Sequence, residues 1–220
     1  MAVELTAKAF AKRLNALRGS DDWKGVKMGD IFKLGKEFQH MPVAEIEILM
    51  ESPVHKMRVG ALSIMGQCAK GNHCTAERLK DLHELYIRRH DLIDGWGLVD
   101  LAAYYVVGQY LADKPRKILY KLARSANPWE RRTSIVATAH FILKLKQTED
   151  TFAIAKLLID DDHKFVNTGV GWMLRAAGDV DREGLIWFLD ENAAQMPRVT
   201  LRAAIEKFDK PLRADYLSRK

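Results

Sequence analysis

Apolar residues recur every three to four positions along almost the whole chain, the spacing of helices that each bury one stripe. Leu5 to Leu17 predicts a first helix ended by Gly19-Ser20, followed by a connector from Asp21 to Val26. Met28 to Phe38 predicts a second, with Ile31, Leu34 and Phe38 inward. Pro42 starts a short helix through Met50, and Pro53 another through Ala69, before Gly71-Asn72 breaks the pattern. Thr75, followed by Glu77 and Arg78, caps a helix reaching Arg89. Trp96 to Leu111 and Pro115 to Arg124 come next. Asn127-Pro128 then places a cap and a first-turn proline at the head of a helix running to Lys146. Glu149–Ile159, Lys164–Ala177, Asp181–Ala193, Arg198–Phe208 and Pro211–Leu217 complete an all-α chain. The hairpin dipeptide Asn-Gly is absent.

These helices pair. Laying the second member of each pair over the next gives a shared register of Arg58, Asp100, Arg132, Thr168 and Arg202, at intervals of 42, 32, 36 and 34 residues. Three positions after each stands a small or apolar residue: Ala61, Ala103, Ile135, Gly171 and Ile205. Two-helix repeats at this period predict an α-solenoid of HEAT or armadillo type, with inner helices lining a concave, basic surface. No linker rich in Pro, Gly or Ser interrupts the spacing, so residues 1–220 read as one array.

Composition narrows the function. The formal charge is +6 and the pI about 9.2, which suits a polyanionic partner. Cys68 and Cys74 lack metal-type spacing and read as free thiols of a reducing cytoplasm. The seven histidines show no i, i+4 pairing, and HExxH, Walker, nucleophile-elbow and dinucleotide motifs are missing. No metal and no cofactor are therefore expected. Neither an apolar leader core nor a membrane span is visible, so a cytoplasmic protein is expected, associated with the nucleoid in a bacterium. Nor does a heptad seam force a dimer, and a monomer is expected.

Candidate chemistry gathers around Trp96-Gly97-Leu98-Val99-Asp100. Four residues apart on a helix, Trp96 and Asp100 share a face. A carboxylate among Leu98, Val99 and Leu101 is costly unless it is paired or opens on a cleft. Either it ion-pairs with Arg132 of the next repeat, or it serves chemistry; the sequence leaves both open. Trp96 and Trp172 are likewise either core residues or exposed platforms, and Arg131-Arg132 either a solvated helix face or a contact surface. Since a carboxylate repels a polyanion, Asp100 on a DNA-binding face would be present for something other than affinity.

Three segments now point to a family. Trp96-Gly97-Leu98-Val99-Asp100, Asn127-Pro128-Trp129-Glu130-Arg131-Arg132 and Gly169-Val170-Gly171-Trp172-Met173-Leu174-Arg175 resemble the signature segments of the AlkD-like DNA alkylation repair proteins, in consistent order. Gly25-Val26-Lys27-Met28-Gly29-Asp30, with Leu34 and Glu37-Phe38, is similar to that family's N-terminal segment. The resemblance implies a HEAT-like-repeat glycosylase releasing cationic N3- and N7-alkylpurines from duplex DNA. It implies Asp100 as the catalytic carboxylate, Trp96 and Trp172 as aromatic walls against the lesion, and Arg132 as a phosphate contact. Trp129, Arg131 and Arg175, in the same segments, become further candidate DNA contacts. With no lysine within one turn of Asp100, hydrolysis by water without a lyase step is expected.

Two departures keep other functions in view. Gly95 stands where many members carry a second aromatic, and Gly97 where Asp is frequent. A non-catalytic binder of branched, bent or damaged DNA on the same face is the second reading. A protein-interaction scaffold is the third, since fold alone does not fix function.

Overall fold

A computed structural model describes residues 4–18, 23 and 25–219. The end of the first helix at Gly19-Ser20 and half of the connector after it lie outside the described residues. Thirteen α-helices and no strand are present among those described.

The packing divides the chain into two compact units, Met1–Tyr110 and Leu111–Lys220, a boundary that no linker composition marks. The first holds α1 (Ala7–Ala16), α2 (Met28–Glu37), α3 (Val43–Met50), α4 (His55–Lys70), α5 (Ala76–Arg88) and α6 (Trp96–Ala102). The second holds α7 (Lys117–Leu122), α8 (Pro128–Val136), α9 (Glu149–Leu157), α10 (Lys164–Gly178), α11 (Arg182–Asn192), α12 (Arg198–Ala204) and α13 (Lys210–Ser218). Within the first unit α2, α4 and α6 stack side by side, with α3 packed on α4. Within the second α8, α10 and α12 stack, backed by α7, α9 and α11. Tandem pairs whose second members stack in order are the packing of an α-solenoid.

The repeat register survives in the core. Ala61, Ala103, Ile135, Gly171 and Ile205 are all buried. Two glycines set the closeness of the stacking. A Cβ at Gly66 would lie 2.3 Å from the Leu101 carbonyl oxygen of α6, and one at Gly171 would lie 2.8 Å from the Thr200 carbonyl of α12. Both expected caps form: Thr75 accepts from the Arg78 N–H at 3.1 Å, and Asn127 from the Trp129 N–H at 2.9 Å.

Two expected helices break off inside their apolar runs, and a third, Arg198–Phe208, ends at Ala204. α6 gives way at Ala103–Gly108 to a wider π-turn, whose Gln109 N–H reaches the Tyr104 carbonyl five residues back at 3.2 Å. α8 ends at Val136, and a second π-turn spans Phe141–Leu145 before Lys146 turns left-handed at φ 59°. Between them the Thr138 hydroxyl donates to the Ile135 carbonyl at 2.7 Å, competing with the helical ladder.

Candidate functional site

In the first unit, α6 is positioned from its N-terminal end. Arg58 of α4 pairs with Asp94 at 2.7 Å and donates to the Ser52 carbonyl at 2.9 Å. Asp94 immediately precedes Gly95, whose carbonyl accepts from Leu98 N–H and Val99 N–H and opens the helix. Leu98, Val99 and Ala102 then face the core. Trp96, 48% exposed, and the half-buried Asp100 are left on the opposite side.

That side opens on a groove of about 530 Å³, walled by Met28 and Phe32 of α2, His55 and Val59 of α4, and Trp96, Asp100 and Leu101. Trp96 and Asp100 therefore share one cavity with mainly apolar walls, where a charge interaction is strengthened relative to bulk water. Desolvation holds the His55 imidazole below its usual range, and Arg58 and Lys56 press the same way against the opposing influence of Asp94. His55 is consequently neutral at neutral pH and adds no positive charge to the groove. At Gly95 and Gly97 a Cβ would meet nothing within 4 Å, so the glycines leave the space around Trp96 open.

Asp100 also walls a second, smaller pocket of about 210 Å³. Ser63, Gln67 and Lys70 of α4 line it, with Phe32, Leu101 and Tyr105. Tyr105 lies in the π-turn, four residues after Leu101, and lines the same pocket as Asp100. Lys70 is thirty residues from Asp100 in the chain, so the lack of a lysine within one turn does not keep an amine out of this region. Phe32, His55, Ser63 and Lys70 were not singled out by sequence, because only tertiary packing brings them to α6.

In the second unit Trp172 of α10 is 41% exposed and lies beside Arg132 of α8, the guanidinium carbon 5.6 Å from its ring centre. Arg132 itself is only 1% exposed. Its guanidinium donates to the Phe165 carbonyl and, at 3.4 Å, to the Thr168 hydroxyl. Gly169 makes room for it, since a Cβ there would stand 3.1 Å from Nη1. Arg132 thus lies beneath an exposed tryptophan rather than on an open face.

Arg131 is also committed inward. Nε and Nη2 donate to the Asp161 carboxylate at 2.5 and 3.1 Å, and Nη1 to the Ser125 and Ala126 carbonyls at 2.9 and 3.0 Å. Four of the five donors of a guanidinium are engaged there. Trp129 is half-buried, edge-on to His163 with centroids 5.0 Å apart and tilted against Phe165. Arg175 pairs with the exposed Glu206 and stays partly accessible. Trp187 of α11, 62% exposed, is the most open of the exposed large apolar side chains and carried no sequence signal.

Among the described residues no group of three or more His, Cys, Asp or Glu is arranged to hold a metal ion, and no helix is long and apolar enough to cross a membrane. The model of a family described as DNA alkylation repair enzyme matches residues 4–208. No curated protein matches the sequence.

Proposed function

For a chain that belongs to the DNA alkylation repair enzyme family, and so to the repair of alkylated DNA, we propose a specific reaction: hydrolysis of the N-glycosidic bond of N3- and N7-alkylpurines in duplex DNA. The observation that carries it is the shared groove of Trp96 and Asp100. An alkylated purine of this class already bears positive charge, so it leaves without a general acid. As the C1′–N bond breaks, its electron pair goes to the purine, which departs neutral, and positive charge passes to the sugar.

A fixed carboxylate is complementary to that sugar cation, and more so in a site with apolar walls. Asp100 carries this role, and accepts a proton from the water that closes on C1′. Its repulsion of DNA phosphates is offset in the transition state, where the sugar has become cationic. The Trp96 face favours a cation by about 0.5–2 kcal/mol. Neutral His55 leaves this balance undisturbed. In the second unit Trp172 offers an exposed aromatic face of its own for DNA, with Arg132 beside it. Arg175 reaches a phosphate by exchanging Glu206 for it, whereas Arg131 and Trp129 hold α8 against the start of α10. The partner is double-stranded DNA, and the protein acts as a monomer in a compartment that holds DNA.

The test is release of 7-methylguanine and 3-methyladenine from methylated duplex DNA, quantified by chromatography. The expected result is release well above the spontaneous rate. Tight, salt-sensitive binding with only spontaneous release would overturn the reaction in favour of a non-catalytic DNA binder. The open space at Gly95 and Gly97 favours that second reading, because it removes side chains that would press a lesion toward Asp100.

A further inference from the structure

Asp100 forms part of two cavities, and they differ in chemistry. The larger, toward Trp96, has mainly apolar walls; the smaller brings in Ser63, Gln67, Lys70 and Tyr105. Ser63, one of the residues lining the smaller, is 2% exposed, and its hydroxyl is buried with no hydrogen-bond partner. A buried hydroxyl is rarely left unsatisfied, so an orphan on a residue that lines a pocket with several polar groups points to something that binds there. Gly35 of α2 leaves room for this hydroxyl between the helices, since a Cβ there would stand 2.6 Å from its oxygen.

We infer that the smaller pocket is the nucleophile's subsite, so that the lesion and the water reach Asp100 from different cavities. This rests on the base-release reading and deepens it. A volume of about 210 Å³ holds several waters. Its polar groups suit water: a carboxylate accepts, an ammonium donates, and hydroxyl and amide groups do both. A phosphate fits less well, because the Asp100 carboxylate is part of the wall. Water drawn from here adds its oxygen to C1′, the new C–O bond replacing the broken C–N bond, and its proton passes to Asp100.

Ser63→Ala removes the hydroxyl with little change of volume. Single-turnover release of 7-methylguanine is expected to slow by about threefold to tenfold, the effect of one hydrogen bond. Affinity for the methylated duplex should stay unchanged. With methanol as co-solvent, the ratio of methyl 2-deoxyriboside to hydrolysed sugar should rise in the variant, because the pocket then favours the less polar nucleophile.

An unchanged rate together with an unchanged product ratio would overturn the subsite while leaving the glycosylase reading intact. Weaker DNA binding at an unchanged saturating rate would overturn it too, by placing part of the DNA in the pocket. A covalent protein–DNA adduct trapped by borohydride, and lost in Lys70→Gln, would overturn it by making the Lys70 amine the nucleophile. No base release by the wild-type protein would overturn both readings together.

Discussion

A guanidinium loses its hydration when it is carried into a protein interior, and the loss is tolerable only where fixed acceptors replace the water. Arg132 meets that condition with the Phe165 carbonyl and the Thr168 hydroxyl, under the face of Trp172. Arg132→Ala should therefore lower unfolding stability by about 2–3 kcal/mol, the range for hydrogen bonds to a charged group, as read in urea titrations. The slope of log affinity for DNA against log salt should stay as in the wild type. If the residue instead neutralised a phosphate, stability would hold and that slope would fall by about one. The sequence marks Arg132 by motif and register, but not by depth. Burial there depends on Gly169, which stands one helix away and yields the space. The two tryptophans are the reverse case: helical period placed Trp96 on the face of Asp100 and left core or surface open, and only packing leaves both Trp96 and Trp172 exposed.

At the scale of elements, α3 and α5 are tied by Glu47, which takes a two-pronged bond from Arg88 at 2.7 and 2.9 Å and a third from Arg89 at 2.6 Å. Those bonds, the Arg88 one foremost, hold the Glu47 carboxyl at about 2, against the opposing effect of burial. His140, at the entry to the second π-turn, is likewise held below 6.5, by burial first and then by Lys144 and Arg116. For both groups the unfolded chain takes up protons first as pH falls, so stability is full above the unfolded value and is lost below it. Denaturant midpoints should drop in two stages, below pH 6.5 from His140 and His55 and from pH 4.5 toward 2 from Glu47. His140→Gln should shrink the upper stage and Glu47→Gln the lower; midpoints that rise on acidification would contradict this. Caps and inward positions were legible because they are local chemistry, as at Thr75 and Asn127. The π-turns were not, because an apolar run such as Leu101–Val107 fits a helix of either pitch.

For the whole molecule, the formal charge of +6 supplies attraction to DNA that salt weakens, while the chemistry is assigned to a residue of the opposite sign. Binding and catalysis are thus separable, and one substitution separates them. Equilibrium binding and single-turnover base release can be measured on the same 7-methylguanine duplex for wild type and Asp100→Asn. The prediction is release slowed by about a hundredfold or more, the loss seen when one group that stabilises developing charge is removed, with binding unchanged or tighter because a negative charge has left the DNA's path. Release at the wild-type rate by Asp100→Asn would contradict the account.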